Sequence, residues 1–268
     1  MTSKQTTSNK PKDPRRGLKF SAASATFLAV VGHIFLGFEQ SVAQLLVALG
    51  AGYTAALVFE SIDAAMEDRA PRWRGRGARG LFEFLLSAHM SAVTISFLVY
   101  ANDRLWMMAF VVTAAIGSKH IFRLHDGKRF RHFMNPSNFG IAITLLLFHW
   151  TTVIPYEFTE GFQGWGRPGQ WVLPLTIVVL GSRLNHLFTK RLPLIAAWLG
   201  TFMLQALVRG VVTDAPLFSG FVPMTGVAFV LFSFYMVTDP MTSPASLRGQ
   251  IIFGCSLGLV YAALMSQH

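Results

Sequence analysis

Two short segments combine residue types that can bind and orient a ligand. They are Asn135-Pro136-Ser137-Asn138-Phe139-Gly140 and Thr238-Asp239-Pro240-Met241-Thr242-Ser243-Pro244. Each sets a capping residue directly before a proline: Asn135 before Pro136, Asp239 before Pro240 and Ser243 before Pro244. That pattern predicts helix starts, because proline at the first helical position gives up no needed hydrogen bond. A helix start offers free amides and the positive end of the helix dipole, which favour phosphate or carboxylate. The same residues would also serve as plain caps at a bilayer boundary. Read as a site, the candidates are Asn135, Pro136, Ser137, Asn138, Thr238, Asp239, Pro240, Thr242 and Ser243. Asp239 is the most telling of them. An acid beside a membrane span is costly unless it caps a helix, meets a cation or faces water.

His33, His89, His120, His149 and His186 fall in or close to apolar stretches. Histidines on different spans at similar depth can ligate haem as axial pairs or pass protons, and His33, His89, His149 and His186 are the candidates for either role. Isolated histidines that hydrogen-bond between helices are the structural alternative. No HExxH spacing is present, so a zinc site has no support. Walker A, GxGxxG and serine-elbow patterns are absent too. The single Cys255 permits neither a disulfide nor a cysteine metal centre.

The elements that must carry these groups are membrane spans. Of the 268 residues, 52% are hydrophobic and 13% are charged, at a mean hydropathy of +0.45. A soluble domain carries about 25% charged residues. Nine apolar stretches can be read, at 18–38, 41–61, 81–101, 104–119, 136–154, 171–188, 192–212, 222–238 and 246–265. The expected fold is therefore an all-α, polytopic transmembrane bundle of about nine (eight to ten) spans over 18–268, with a polar, disordered tail over 1–17.

Charge orients the bundle. Twenty of the 23 Lys and Arg residues fall on the tail and on alternate loops, among them Lys19, Arg69, Arg72, Lys119, Arg123, Arg191 and Arg248. Only Arg104, Arg167 and Arg209 fall on the opposite loops. The positive-inside rule then puts the N-terminus in the cytoplasm and both polar motifs at the inner face of a bacterial-type inner membrane. Topology accounts for the net charge of +10, so a nucleic-acid partner is not expected. The inner loops, above all "APRWRGRGARG" within 62–80, would face anionic lipid or dock a biosynthetic or redox protein.

Smaller expectations follow from the same topology. Glu60 and Glu83 sit at inner span ends and reach the interface, and Glu39 is a solvated turn residue. Asn185 and Arg183 would face the polar motifs. Trp106, Trp150, Trp171 and Tyr156 would anchor span ends.

"RHFMNPSNFGIAI" and "FVLFSFYMVTDPMTSP" resemble the paired signatures of the NqrB/RnfD family, membrane subunits of Na+-translocating NADH:quinone reductase and of the Rnf electron-transport complex. The resemblance spans most of 100–265. The opening "VVGHIFLGFEQS" and the overall size resemble a shorter branch, the UnbU-type proteins of enediyne biosynthesis clusters. The resemblance implies two structurally related halves, flavin at or near the bundle, and a redox-linked accessory role in natural-product biosynthesis. The family attaches FMN to threonine in an S-G-A-T stretch of an outer loop. Here that loop reads "PYEFTEGFQGWGRPGQW", with Thr159 but no S-G-A-T. Covalent FMN is therefore not expected, and noncovalent flavin or another ligand stays open. A small-molecule transporter or exporter and a noncatalytic scaffold are the alternatives.

Overall fold

A computed structural model describes residues 16–35, 40–125, 127, 130–153, 171–213, 216 and 218–266. Residues 1–15 of the tail, Glu39, Tyr156 and the loop holding Thr159 lie outside these residues, whereas Arg16 and Gly17, expected in the disordered tail, belong to the first helix. The architecture is all-α. It comprises α1 (Arg16–Phe35), α2 (Val42–Met66), α3 (Gly77–Leu98), α4 (Leu105–Ile121), α5 (Pro136–Leu147), α6 (Val172–Leu184), α7 (Leu192–Val212), α8 (Val227–Leu231) and α9 (Leu247–Met265). A π-helical turn, Asn185–Thr189, extends α6, and a second, Phe232–Met236, extends α8. A 3-10 segment, Ser219–Thr225, precedes α8.

Among the described residues, five helices are long and apolar enough to cross a membrane: α1, α2, α3, α7 and α9. The bent unit from Ser219 to Met236 would make a sixth. The chain is thus a helical, multi-pass membrane protein by the length and composition of its helices. The stretches at 136–154 and 222–238 form shorter or more broken helices than their hydropathy alone predicts. α5 has 12 residues, roughly 18 Å of rise, against a hydrocarbon core of about 30 Å. It stops early because the chain turns at Phe148 and enters a strand at Thr152. The stretch at 222–238 bends by 71° where Pro223 and Gly226 interrupt the ladder.

Two small antiparallel ribbons, not anticipated from the sequence, tie the ends together. β1 (Val99–Tyr100) pairs with β4 (Thr152–Val153), which joins the C-terminal ends of α3 and α5. Gln40 and Gln44 donate to the Val99 and Asn102 carbonyls at the same end, and the Arg104 guanidinium lies over the Trp150 ring. β2 (Arg123–His125) pairs with β3 (Phe130–His132), and this hairpin leads directly into Asn135 and α5.

The opposite end gathers the basic loops. Lys19 bonds Glu83 at 3.0 Å, and Phe20 packs on Phe188. Arg69 and Arg123 reach acids of α2. Arg191 reaches Ser243. The start of α1, the α2–α3 loop, the hairpin, the α6–α7 turn and the 239–246 segment therefore share one end of the bundle.

The core runs through α2, α3 and α4, where Met107, Met108, Val111 and Ile95 are fully enclosed. α5 lies on α4 through Gly140, where an added Cβ would come within 2.6 Å of the Val111 carbonyl oxygen. In the second half α7 and α9 form the closest pair. Trp198 and Phe202 of α7 pack against Phe229 and Tyr261 there.

Candidate functional site

The Asn135 and Asp239 segments, about a hundred residues apart in sequence, meet. Asn135 caps α5 as expected. Its side chain accepts from the Asn138 amide at 3.1 Å, with Pro136 at the first helical position. Its Nδ2 then reaches across to the Met236 carbonyl at 3.2 Å and to Asp239 Oδ2 at 3.4 Å.

Asp239 does not start a helix, contrary to the sequence reading. It closes a tight turn instead. Its Oδ1 accepts from the Met241 amide at 3.1 Å and its Oδ2 from Thr242 Oγ1 at 3.1 Å. Its carbonyl accepts from the Ser243 amide at 2.9 Å and from Ser243 Oγ at 2.7 Å. Ser243 before Pro244 starts no helix either; Ser246 caps α9 by accepting from the Gly249 amide. The reason is local competition: Asp and Ser side chains that bond nearby amides and carbonyls hold a turn rather than open a helix. One of the three expected helix starts therefore exists, that of α5. Pro240 stays within the turn, and Thr238 donates to the Phe234 carbonyl at 2.9 Å.

The two π-helical turns face each other beside this junction. Asn185, at 0% exposure, donates to the Gly181 carbonyl at 2.9 Å and to the Phe234 carbonyl at 2.8 Å. Thr189 donates to Asn185 Oδ1 at 2.7 Å. π-turns release carbonyls from the regular ladder and occur often at functional sites. Here Asn185, Thr238 and Asn135 claim carbonyls from the second turn. Gly181 permits the approach, since a Cβ there would sit 2.6 Å from Phe234 Cβ. Asn185 thus faces the motifs as expected, whereas Arg183 is exposed.

Lys119 from α4, His132 from β3 and Arg191 each interact electrostatically with Asp239. Arg191 donates from Nε to Ser243 Oγ at 2.9 Å, from Nη2 to the Ser243 carbonyl at 3.3 Å and from Nη1 to the Thr189 carbonyl at 3.2 Å. Burial pushes its pKa below the ordinary guanidinium value, and Asp239 opposes that shift. Burial likewise pushes the His132 imidazole down, again against Asp239. Lys119 donates to Ser87 Oγ at 2.9 Å and Ser91 Oγ at 3.4 Å. Ser137 is buried, and neither its hydroxyl nor the Asn138 side chain has a hydrogen-bond partner among the described residues. A hydroxyl and a carboxamide of this kind can hydrogen-bond a polar ligand. No cluster of metal-ligating side chains occurs among the described residues.

A second charged cluster went unread in the sequence. Asp63 accepts two bonds from Arg123, at 2.7 and 3.0 Å, and one contact from His120 Nδ1 at 2.7 Å. One turn earlier, Glu60 accepts from Arg69 Nη1 at 2.6 Å and the Arg72 amide at 2.8 Å. Glu60 therefore does not reach the interface: it is buried in an ion pair, because the 67–72 loop folds back over it. Glu83 meets Lys19 and Arg79. The signal for Asp63 was an acid inside an apolar helix, three residues after another.

The histidines are not brought together. His33 contacts the Ala29 carbonyl on its own helix. His89 uses both ring nitrogens, on Tyr53 Oη at 2.7 Å and Thr26 Oγ1 at 2.8 Å. His149 and His186 are exposed. Among the described residues, no hydrogen bond or ring contact joins any two of the haem candidates. His89 thus bridges α1 and α2 from α3 through Thr26 and Tyr53.

No protein-family model matches the chain, and no curated protein matches it.

Proposed function

We propose that the chain is an NqrB/RnfD-like membrane component with a redox-linked accessory role in natural-product biosynthesis of the enediyne type. In this reading the joined motifs hold a noncovalently bound ligand such as flavin. The observation that carries it is the direct meeting of Asn135 with Asp239, flanked by two π-turns. Paired polar breaks in apolar helices are tolerated where they line a protein cavity. The resemblance of the same two segments to the NqrB/RnfD signatures supplies the redox character.

The proposal includes the topology. The nine apolar stretches are taken as nine passes in a bacterial-type inner membrane, with the tail cytoplasmic. The collection of Lys19, Arg69, Lys119, Arg123 and Arg191 at one end supports that orientation. Exposed Arg72 in the α2–α3 loop and Arg79 in the first turn of α3 would then meet lipid or a redox or biosynthetic protein.

The test is the visible spectrum of the purified protein. Flavin absorption near about 450 nm, released by mild denaturation, is the expected result. A colourless, folded preparation that takes up no added flavin overturns the redox reading. A transporter is the second reading, favoured by the helix breaks themselves. It predicts ligand flux in liposomes that Asp239→Asn abolishes, with no pigment required.

A further inference from the structure

The charges at the joined motifs do not balance. Arg191 is 6% exposed, yet all three of its acceptors are neutral: Ser243 Oγ, the Ser243 carbonyl and the Thr189 carbonyl. The half-buried arginines elsewhere at this end are treated differently. Arg69 has Glu60 at 2.6 Å, and Arg123 has Asp63 at 2.7 Å. Among the described residues, no carboxylate lies in ion-pair range of Arg191 or Lys119. Asp239 acts on both, and on His132, from further away. Its own oxygens are already engaged by Met241, Thr242 and Asn135.

Arg191 is also placed where a cation is least welcome. It occupies the N-cap of the 21-residue α7, with no side-chain cap bond, beside the positive end of that helix dipole. An enclosed guanidinium without a carboxylate is costly unless something neutralises it. Among the described residues, one carboxylate shared between an ammonium and a guanidinium leaves a surplus of positive charge.

We infer that Arg191 is the anion-recognition residue of this site, taking the phosphate of a phosphorylated ligand, with Lys119 adding charge. A guanidinium suits phosphate because its planar fork donates in parallel to two oxygens. The inference rests on the reading that the joined motifs hold a ligand, and not on that ligand being a flavin. The phosphate could belong to a soluble molecule or to a lipid headgroup.

The experiment measures binding to detergent-purified protein, wild type and Arg191→Gln, with four probes: FMN, riboflavin, pyrophosphate and phosphatidic acid in mixed micelles. FMN should bind more tightly than riboflavin by on the order of tenfold, and Arg191→Gln should remove that preference. Arg191→Lys should keep part of it. If neither flavin binds but pyrophosphate or phosphatidic acid does, in an Arg191-dependent way, the anion site stands and the flavin reading falls. Which of those two binds then separates a soluble from a lipid source. Equal binding of FMN and riboflavin overturns the inference while leaving a flavin site intact. No binding of any phosphorylated probe also overturns it. Should Arg191→Gln fail to fold, Lys119→Gln serves as the second variant and should weaken the FMN preference. An unchanged preference in that variant counts against the site.

Discussion

Asp63 and Asp239 lie at the same end of the bundle and both face cations, yet only Asp63 is closed. Asp63 takes a two-pronged contact from Arg123 and one from His120, so its charge is spent within the protein. Asp239 touches only neutral donors and meets Lys119, His132 and Arg191 at longer range. A closed acid ties elements together; an open one leaves charge for something else to use. The difference separates a structural clamp from a candidate site more clearly than burial does.

The comparison predicts opposite orders for stability and for ligand binding. The largest loss of stability is expected for Asp63→Ala, which strands His120 and leaves Arg123 only a 4.0 Å contact with Glu67. Breaking a buried pair costs about 3–5 kcal/mol, measurable as a lower Tm in detergent. Equal stability of this variant and wild type would erase the distinction. Gly140→Ala comes next, at about 1–3 kcal/mol, since a Cβ must push α5 off the Val111 carbonyl. This variant should lose ligand as well as Tm, because α5 carries Ser137 and Asn138.

Asn135→Ala removes a cap and the link to Asp239, for about 1 kcal/mol, and should weaken ligand binding far more than that figure suggests. Asp239→Asn should change stability by less than about 1.5 kcal/mol, read as a small shift in Tm, while altering ligand affinity sharply. Full binding with a large Tm loss would make Asp239 a second clamp. The smallest effect belongs to Tyr53→Phe, which removes one hydrogen bond from His89, worth about 0.6 kcal/mol. The visible spectrum of that variant should be unchanged. A lost pigment band would return the histidines to the redox chemistry.

The all-α, multi-pass character was legible because it depends on composition and run length alone. So was the α5 start, since Asn135-Pro136 acts through its own neighbours. The Asp239-Pro240 and Ser243-Pro244 pairs look alike in sequence but form a turn, because Asp239 binds Met241 and Thr242 instead of opening a helix. Span lengths were overestimated where Pro223, Gly226 and the β1–β4 pairing interrupt apolar sequence. Hydropathy cannot see those interruptions, since apolar residues flank them. Glu60 and Asp63 were misjudged or missed because their partners lie on later loops, up to 60 residues away.

By itself, then, the sequence determined what local chemistry determines: apolar helices, alternating basic loops, one proline-marked helix start and two polar segments set in apolar surroundings. The tertiary structure decided which of these meet. It joined Asn135 to Asp239, set the two π-turns against each other through Asn185, and clamped Asp63 with Arg123. It also left Arg191 enclosed without a carboxylate partner among the described residues. Pairing across such distances depends on how the helices pack, and no single segment carries that information.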